Sequence, residues 1–371
     1  MFLFYAELEV IGLVNEQRLI MKSVQRESSI ELLRIVSLLS VIMIHYSDKA
    51  LPIINNSINL NVLLFLRSMS SCAVDVFILI SGFFMVKSNK RVIGKPVSLL
   101  AQVVYRNVLV YALVLLLGLR SFELKYLAFR LVPASYYPVL FVVLYFVSPY
   151  LNLLLTGLSK RALRVFITIV FLLFSVWPTV VDFSQELFDY TWFGLSTIGA
   201  WGNQQGFNIV NFVLLYCIGA WLRLNEVSIK SRSITIVYLS LVLILIYAWS
   251  IVCMHLSKQG MMSSWVYHNP LVIVYSVLLF LLFNSFHFNN RYINYVSRSV
   301  FMCFLIHSGV IANINIGVSR FCNGSVILML SHYLVFTIAM LIVSFIAYEL
   351  YRIITRRLFS KLNIQEIPYG F

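Results

Sequence analysis

The chain has 371 residues, 61% of them hydrophobic and only 11% charged, with a mean hydropathy of +0.90. A soluble domain carries about a quarter charged residues, so this composition excludes an ordinary globular fold and predicts an all-α polytopic membrane protein. The net charge of +14 would suggest nucleic acid in a soluble chain; basic loops beside membrane spans account for it better here, and no nucleic-acid partner is expected.

The opening "MFLFYAELEVIGLVNEQRLIMKSVQRE" lacks a basic start and a small-residue cleavage site, and Glu7, Glu9 and Glu16 interrupt its apolar run. Residues 1–27 therefore read as a cytoplasmic or interfacial segment and not as a signal peptide. Apolar runs able to cross about 30 Å of hydrocarbon follow near 28–47, 69–86, 97–118, 138–156, 162–181, 207–223, 233–256, 269–287, 299–317 and 328–351. They predict ten spans in one transmembrane domain over 28–360, with a tail over 361–371. A cytoplasmic N-terminus places 19 Lys and Arg in inside segments against 6 in outside loops, which predicts N-in and C-in; the expected location is the cell inner (plasma) membrane. The five cysteines lie scattered, mostly in apolar runs and without a CxxC pair, and read as small buried hydrophobes.

The first span, "IELLRIVSLLSVIMIHY", carries Glu31, Arg34 and His45. Charges at membrane depth cost at least a few kcal/mol and usually face a protein interior or a pathway. Arg34 and His45 are eleven residues apart, which on a helix is about 20° past three turns and about 16.5 Å of rise. Both thus share one face, the arginine in the cytoplasmic half and the histidine near the outer end. A guanidinium away from water suits a phosphate, and a histidine can take a proton from a hydroxyl at neutral pH. The plainer reading is that Arg34 pairs with Glu31 and His45 is interfacial.

In the second span, "CAVDVFILISGFFMV", Asp75 falls near the layer of His45 and could orient its ring; alternatively it pairs with Arg67. Ser81 and Gly82 lie lower, where a glycine admits a neighbouring backbone or a ligand. In the third span, Arg106 is expected about 13.5 Å from the cytoplasmic start and Arg34 about 9 Å. Together with Lys95 and Arg91 of the basic loop, they would outline a cationic cytoplasmic mouth. His307 in "FLIHSGV" is ligand-facing or a core histidine. His255 and His332 read as interfacial, and His268 and His287 receive no role. Walker, GxGxxG and HExxH motifs are absent from the sequence, so no metal is expected.

These segments resemble, in order, those of the integral-membrane acyltransferase-3 family. "IELLRIVSLLSVIMIH" resembles its opening acidic residue, arginine and R-x10-H spacing, and "AVDVFILISGFFM" its aspartate-aromatic-Ser-Gly stretch. "YYPVLFVVLYFVSPYLN" resembles its aromatic fourth span without the usual tryptophan. "NFVLLYCIGAWLRL" and "INYVSRSVFMCFLIH" are similar to later elements. An R-x-x-R found in some members at the third span is absent, and only Arg106, Lys95 and Arg91 stand nearby. The resemblance implies transfer of an acyl group, usually acetyl, from cytoplasmic acyl-coenzyme A to a hydroxyl of a cell-surface or lipid-linked glycan. It matches His45 to the proposed catalytic histidine and Arg34 to its companion. A place in a polysaccharide-synthesis complex is also compatible. A transporter of glycan or another anionic substrate would equally carry intramembrane Arg and His, but no convincing inverted halves are visible. A non-catalytic partner in polysaccharide assembly would tolerate loss of His45.

Overall fold

A computed structural model describes residues 27–256 and 262–361; the N-terminal segment and the tail expected at the two ends lie outside them, apart from Glu27 and Lys361. Among the described residues the chain is helical and has no strand. α1 (Ser28–Ala50) is followed by α2 (Ser57–Ser70), α3 (Ala73–Met85), α4 (Gly94–Leu116), the short α5 (Leu124–Arg130) and α6 (Tyr136–Gly157). α7 (Lys160–Phe171) and α8 (Trp177–Phe188) form one long rod. α9 (Ile209–Leu224), α10 (Arg232–Leu256), α11 (Pro270–Asn284), α12 (Arg291–Val296), α13 (Val300–Asn313), α14 (Val318–Phe321) and α15 (Val326–Lys361) complete the fold.

Nine helical segments among the described residues are long and apolar enough to cross a membrane. The tenth expected span corresponds to α9, which has 16 residues. At 1.5 Å per residue it is about 24 Å long, short of the hydrocarbon thickness. It can be short because protein, not lipid, surrounds it: Leu214, Leu215, Tyr216, Cys217 and Ala220 are all fully buried. The second crossing also differs from expectation. It begins at Ser57, because α2 runs almost directly into α3 across Ser71 and Cys72. Asn59, Asn61 and Arg67 hid that first half in the sequence, and in the structure Asn59 is fully buried. Its side-chain amide donates to the carbonyls of Cys322 and Gly324, both at 2.8 Å.

The centre of the molecule is α1, α3 and α9. α3 is buried from Ala73 to Phe83, whereas α10 and α15 expose large apolar side chains such as Ile244, Leu245, Val335 and Ile342, as lipid-facing helices do. α3 and α9 approach through two glycines. A methyl group added at Gly82 would stand 2.2 Å from the carbonyl oxygen of Tyr216, and one at Gly219 would stand 2.3 Å from that of Leu79. The close approach anticipated at Gly82 is therefore made by another helix backbone.

Two prolines shape the outer helices. Pro178 has no N–H to give the carbonyl one turn back, and the rod of α7 and α8 widens into a π turn over Leu172–Val176 just before it. Pro149 within α6 likewise frees the carbonyl of Tyr145. Inside a membrane such a group needs a partner, and two arrive: Arg91 Nε donates to it at 3.1 Å and Ser148 Oγ at 2.7 Å.

Candidate active site

The N-terminal half of α1 borders a cavity of about 150 Å3. Glu31, Arg34, Lys95, Gln102 and Arg298 supply its polar part, and Phe77, Tyr137, Phe141, Phe301 and Phe304 its aromatic walls. The cavity forms where α1, α3, α4, α6 and α13 converge, so residues far apart in sequence share one wall. Arg34 Nη1 donates to Glu31 Oε1 at 2.5 Å, and both side chains are nearly buried. The plainer reading of Arg34 thus holds for this contact, yet the ion pair also lines the cavity. A carboxylate one helical turn away fixes the guanidinium, and Lys95 and Arg298 leave the surroundings cationic.

The aromatic wall leads toward the histidines. Tyr137 and Phe304 have ring centroids 5.0 Å apart, Phe304 and His307 5.9 Å, and His307 and His45 5.1 Å. α13 makes this path by periodicity, since Val300, Phe301 and Phe304 border the cavity and His307 follows one turn later. His307 is 1% exposed, and its Nδ1 lies 3.0 Å from the carbonyl oxygen of Cys303. Since that oxygen can only accept, Nδ1 carries the proton. Nε2 is left as an acceptor, with no hydrogen-bond partner among the described residues.

His45 is more open, with 42% of its side chain exposed, and its Nδ1 faces Asp48 Oδ2 at 3.5 Å. The other oxygen of Asp48 is 3.6 Å from Arg67 Nη2, and Arg67 lies over the Trp265 ring at 4.9 Å. The carboxylate beside His45 is therefore that of Asp48, three residues on along the same helix. Asp75, expected in that place, is fully buried, and neither of its oxygens has a hydrogen-bond partner among the described residues. It is bonded neither to His45 nor to Arg67.

The expected cationic cluster divides. Arg34 and Lys95 share the first cavity. Arg91 is occupied elsewhere: besides Tyr145 it binds Ser148 Oγ and the carbonyls of Ser88 and Lys90, and it braces the loop before α4 against α6. Arg106 lies in a second cavity with Arg130 and Lys125, beside Gly309 of α13. Its depth was misjudged because α4 starts at Gly94, which makes Lys95 the neighbour of Arg34. Arg106, eleven residues further, lies about 16.5 Å along the axis, in the layer of His45. Ser81 Oγ donates to the Phe77 carbonyl within its own helix at 2.9 Å, and Gly82 meets α9 as described.

Other histidines serve the fold. His332 contacts the Tyr46 hydroxyl at 2.9 Å and the Ile316 carbonyl at 2.9 Å, using both ring nitrogens. His268, assigned no role from sequence, is fully buried 3.0 Å from Asp182, whose other oxygen takes a hydrogen bond from Asn203 at 2.6 Å. Asp48 and Arg298 are the parts of the site that sequence reasoning missed, while Tyr137 and Phe141 of the wall belong to the aromatic fourth span already noted. Of these, only Asp48 left a local signal, the spacing His45-x-x-Asp48. All five cysteines are buried thiols.

Comparison with known proteins completes the assignment. A search of curated proteins and one of solved structures find no match. A family model described as an acyltransferase domain matches residues 27–349, from the residue before α1 into α15. That stretch holds both cavities and the histidine pair, and the chain belongs to the acyltransferase-3 family of membrane acyltransferases.

Proposed function

We propose that the protein is an O-acyltransferase of the inner (plasma) membrane, moving an acyl group, specifically acetyl, from cytoplasmic acyl-coenzyme A to a hydroxyl of a cell-surface or lipid-linked glycan. The observation that carries this reading is the unbroken run of side chains from Arg34 and Lys95 through Tyr137 and Phe304 to His307 and His45. A donor with a phosphate-bearing end, a narrow arm and a terminal thioester matches that order. The cavity of about 150 Å3 has room for about five waters, which suits a pantetheine-like arm better than a nucleotide. Arg34, Lys95 and Arg298 suit the phosphates at its mouth.

The chemistry follows from His45. With Asp48 facing Nδ1, the favoured neutral form has its proton there and a lone pair on Nε2. Nε2 takes the proton of the glycan hydroxyl while its oxygen attacks the thioester carbonyl. The C–S bond breaks, sulfur leaves as thiolate, and the imidazolium, stabilised by Asp48, returns the proton to it. His307 is a positioning residue that packs against the His45 ring.

Inside-out membrane vesicles test the reading. Added radiolabelled acetyl-coenzyme A is expected to label glycan in vesicles with the native chain and not with His45→Ala. Labelling that survives in His45→Ala removes the histidine from the reaction; labelling of right-side-out vesicles alone reverses the orientation.

A further inference from the structure

The second cavity, about 590 Å3, is walled by α4, α5 and the chain before α6. Arg106, Lys125 and Arg130 bring three positive charges to it and Glu123 one negative charge. Arg106 and Arg130 form no ion pair among the described residues, and the Nε of Arg106 is buried without a partner. A buried guanidinium N–H left without a partner is costly unless an anion arrives.

The surroundings hold these groups in place. Asn107 Nδ2 donates to the Val132 carbonyl at 3.0 Å, tying the loop after α5 to α4. Tyr111 stacks on Tyr126 with centroids 6.4 Å apart, and Arg130 lies 5.9 Å from the Tyr126 ring. Arg106 of this cavity also lies against α13, the helix that carries His307. Arg106 Nη1 is 3.6 Å from where a methyl group on Gly309 would stand, and Gly309 is two residues past His307. Here the absence of a side chain lets α4 approach α13.

We infer that this cavity binds an oxyanion, phosphate or carboxylate, carried by the acceptor, so that Arg106 and Arg130 anchor an acidic glycan while a nearby hydroxyl reaches His45. This rests on the acyl-transfer reading for the word acceptor, but the site itself can be measured alone. Two guanidinium groups also suit a doubly charged or bidentate anion better than lysine would.

The test is equilibrium binding of labelled pyrophosphate and of glucuronate to the full chain in nanodiscs of phosphatidylcholine alone. With coenzyme A at saturation to fill the first cavity, saturable binding is expected for at least one probe, about tenfold weaker in Arg106→Gln and in Arg130→Gln. Coenzyme A binding itself is expected to be unchanged in those two variants and weakened in Arg34→Ala. Failure of both probes to bind a folded chain overturns the site, whatever coenzyme A does. Loss of coenzyme A binding alone overturns the acyl-transfer reading and leaves the oxyanion site standing. Abolition of probe binding by phosphatidylglycerol in the nanodisc assigns the cavity to a lipid headgroup and overturns the acceptor assignment.

Discussion

At the scale of single residues, the proposed site depends on which carboxylate serves His45. Asp48 lies 3.5 Å from the ring and Asp75 makes no hydrogen bond to it. Asp48→Asn keeps the shape but removes the charge that favours the productive tautomer and the imidazolium. It is expected to lower acyl transfer by about 10²-fold or more with acyl-coenzyme A affinity intact, as initial rates and equilibrium binding would show. Asp75→Asn is expected to change the rate by less than about tenfold, because no bond to His45 is lost. A larger loss in Asp75→Asn than in Asp48→Asn contradicts the assignment. The sequence made His45 and Arg34 visible because both are conspicuous in an apolar run. Asp48 was overlooked because it lies at the end of that run, where charge is ordinary.

At the scale of helices, spans were legible from apolar length, including α9 at the right place, but their surroundings were not. Nothing in "NFVLLYCIGAWLRL" tells that α9 is enclosed by protein, since lipid and core select the same side chains. The glycines carry that information only once paired. Gly82→Ala forces a methyl group against the Tyr216 backbone and is expected to cost about 3 kcal/mol or prevent folding, as a fall in thermal midpoint in detergent would show. Depth arithmetic failed for Arg106 because an apolar run does not mark where its helix begins. The corrected register separates two basic residues that the sequence treats alike. Lys95→Ala is expected to weaken coenzyme A binding by about tenfold at unchanged thermal midpoint. Arg91→Ala is expected to lower the midpoint and leave binding unchanged, because its guanidinium serves the Tyr145 carbonyl and Ser148. The opposite pattern would return Arg91 to the donor site.

At the scale of the whole molecule, α1, α4 and α13 run alongside one another from the first cavity to the histidine layer. Arg34 and His45 on α1, Lys95 and Arg106 on α4, and Phe304 and His307 on α13 mark that course. Packing three helices in this way leaves two cavities, one with Glu31, Arg34, Lys95 and Arg298 among aromatic rings, the other with Arg106, Lys125 and Arg130. The sequence showed charges within the membrane; it could not show that they belong to two cavities, because that depends on which helix faces which. The division of labour along α1 remains the central claim. Its most direct measurement is binding of radiolabelled acetyl-coenzyme A to purified native, Arg34→Ala and His45→Ala chains in nanodiscs, with label transfer to glycan followed in the same samples. The account predicts binding in the native chain and in His45→Ala, weakened binding in Arg34→Ala, and rapid transfer in the native chain alone. A folded native chain that binds no acyl-coenzyme A, or a His45→Ala chain that transfers label at the native rate, would contradict it.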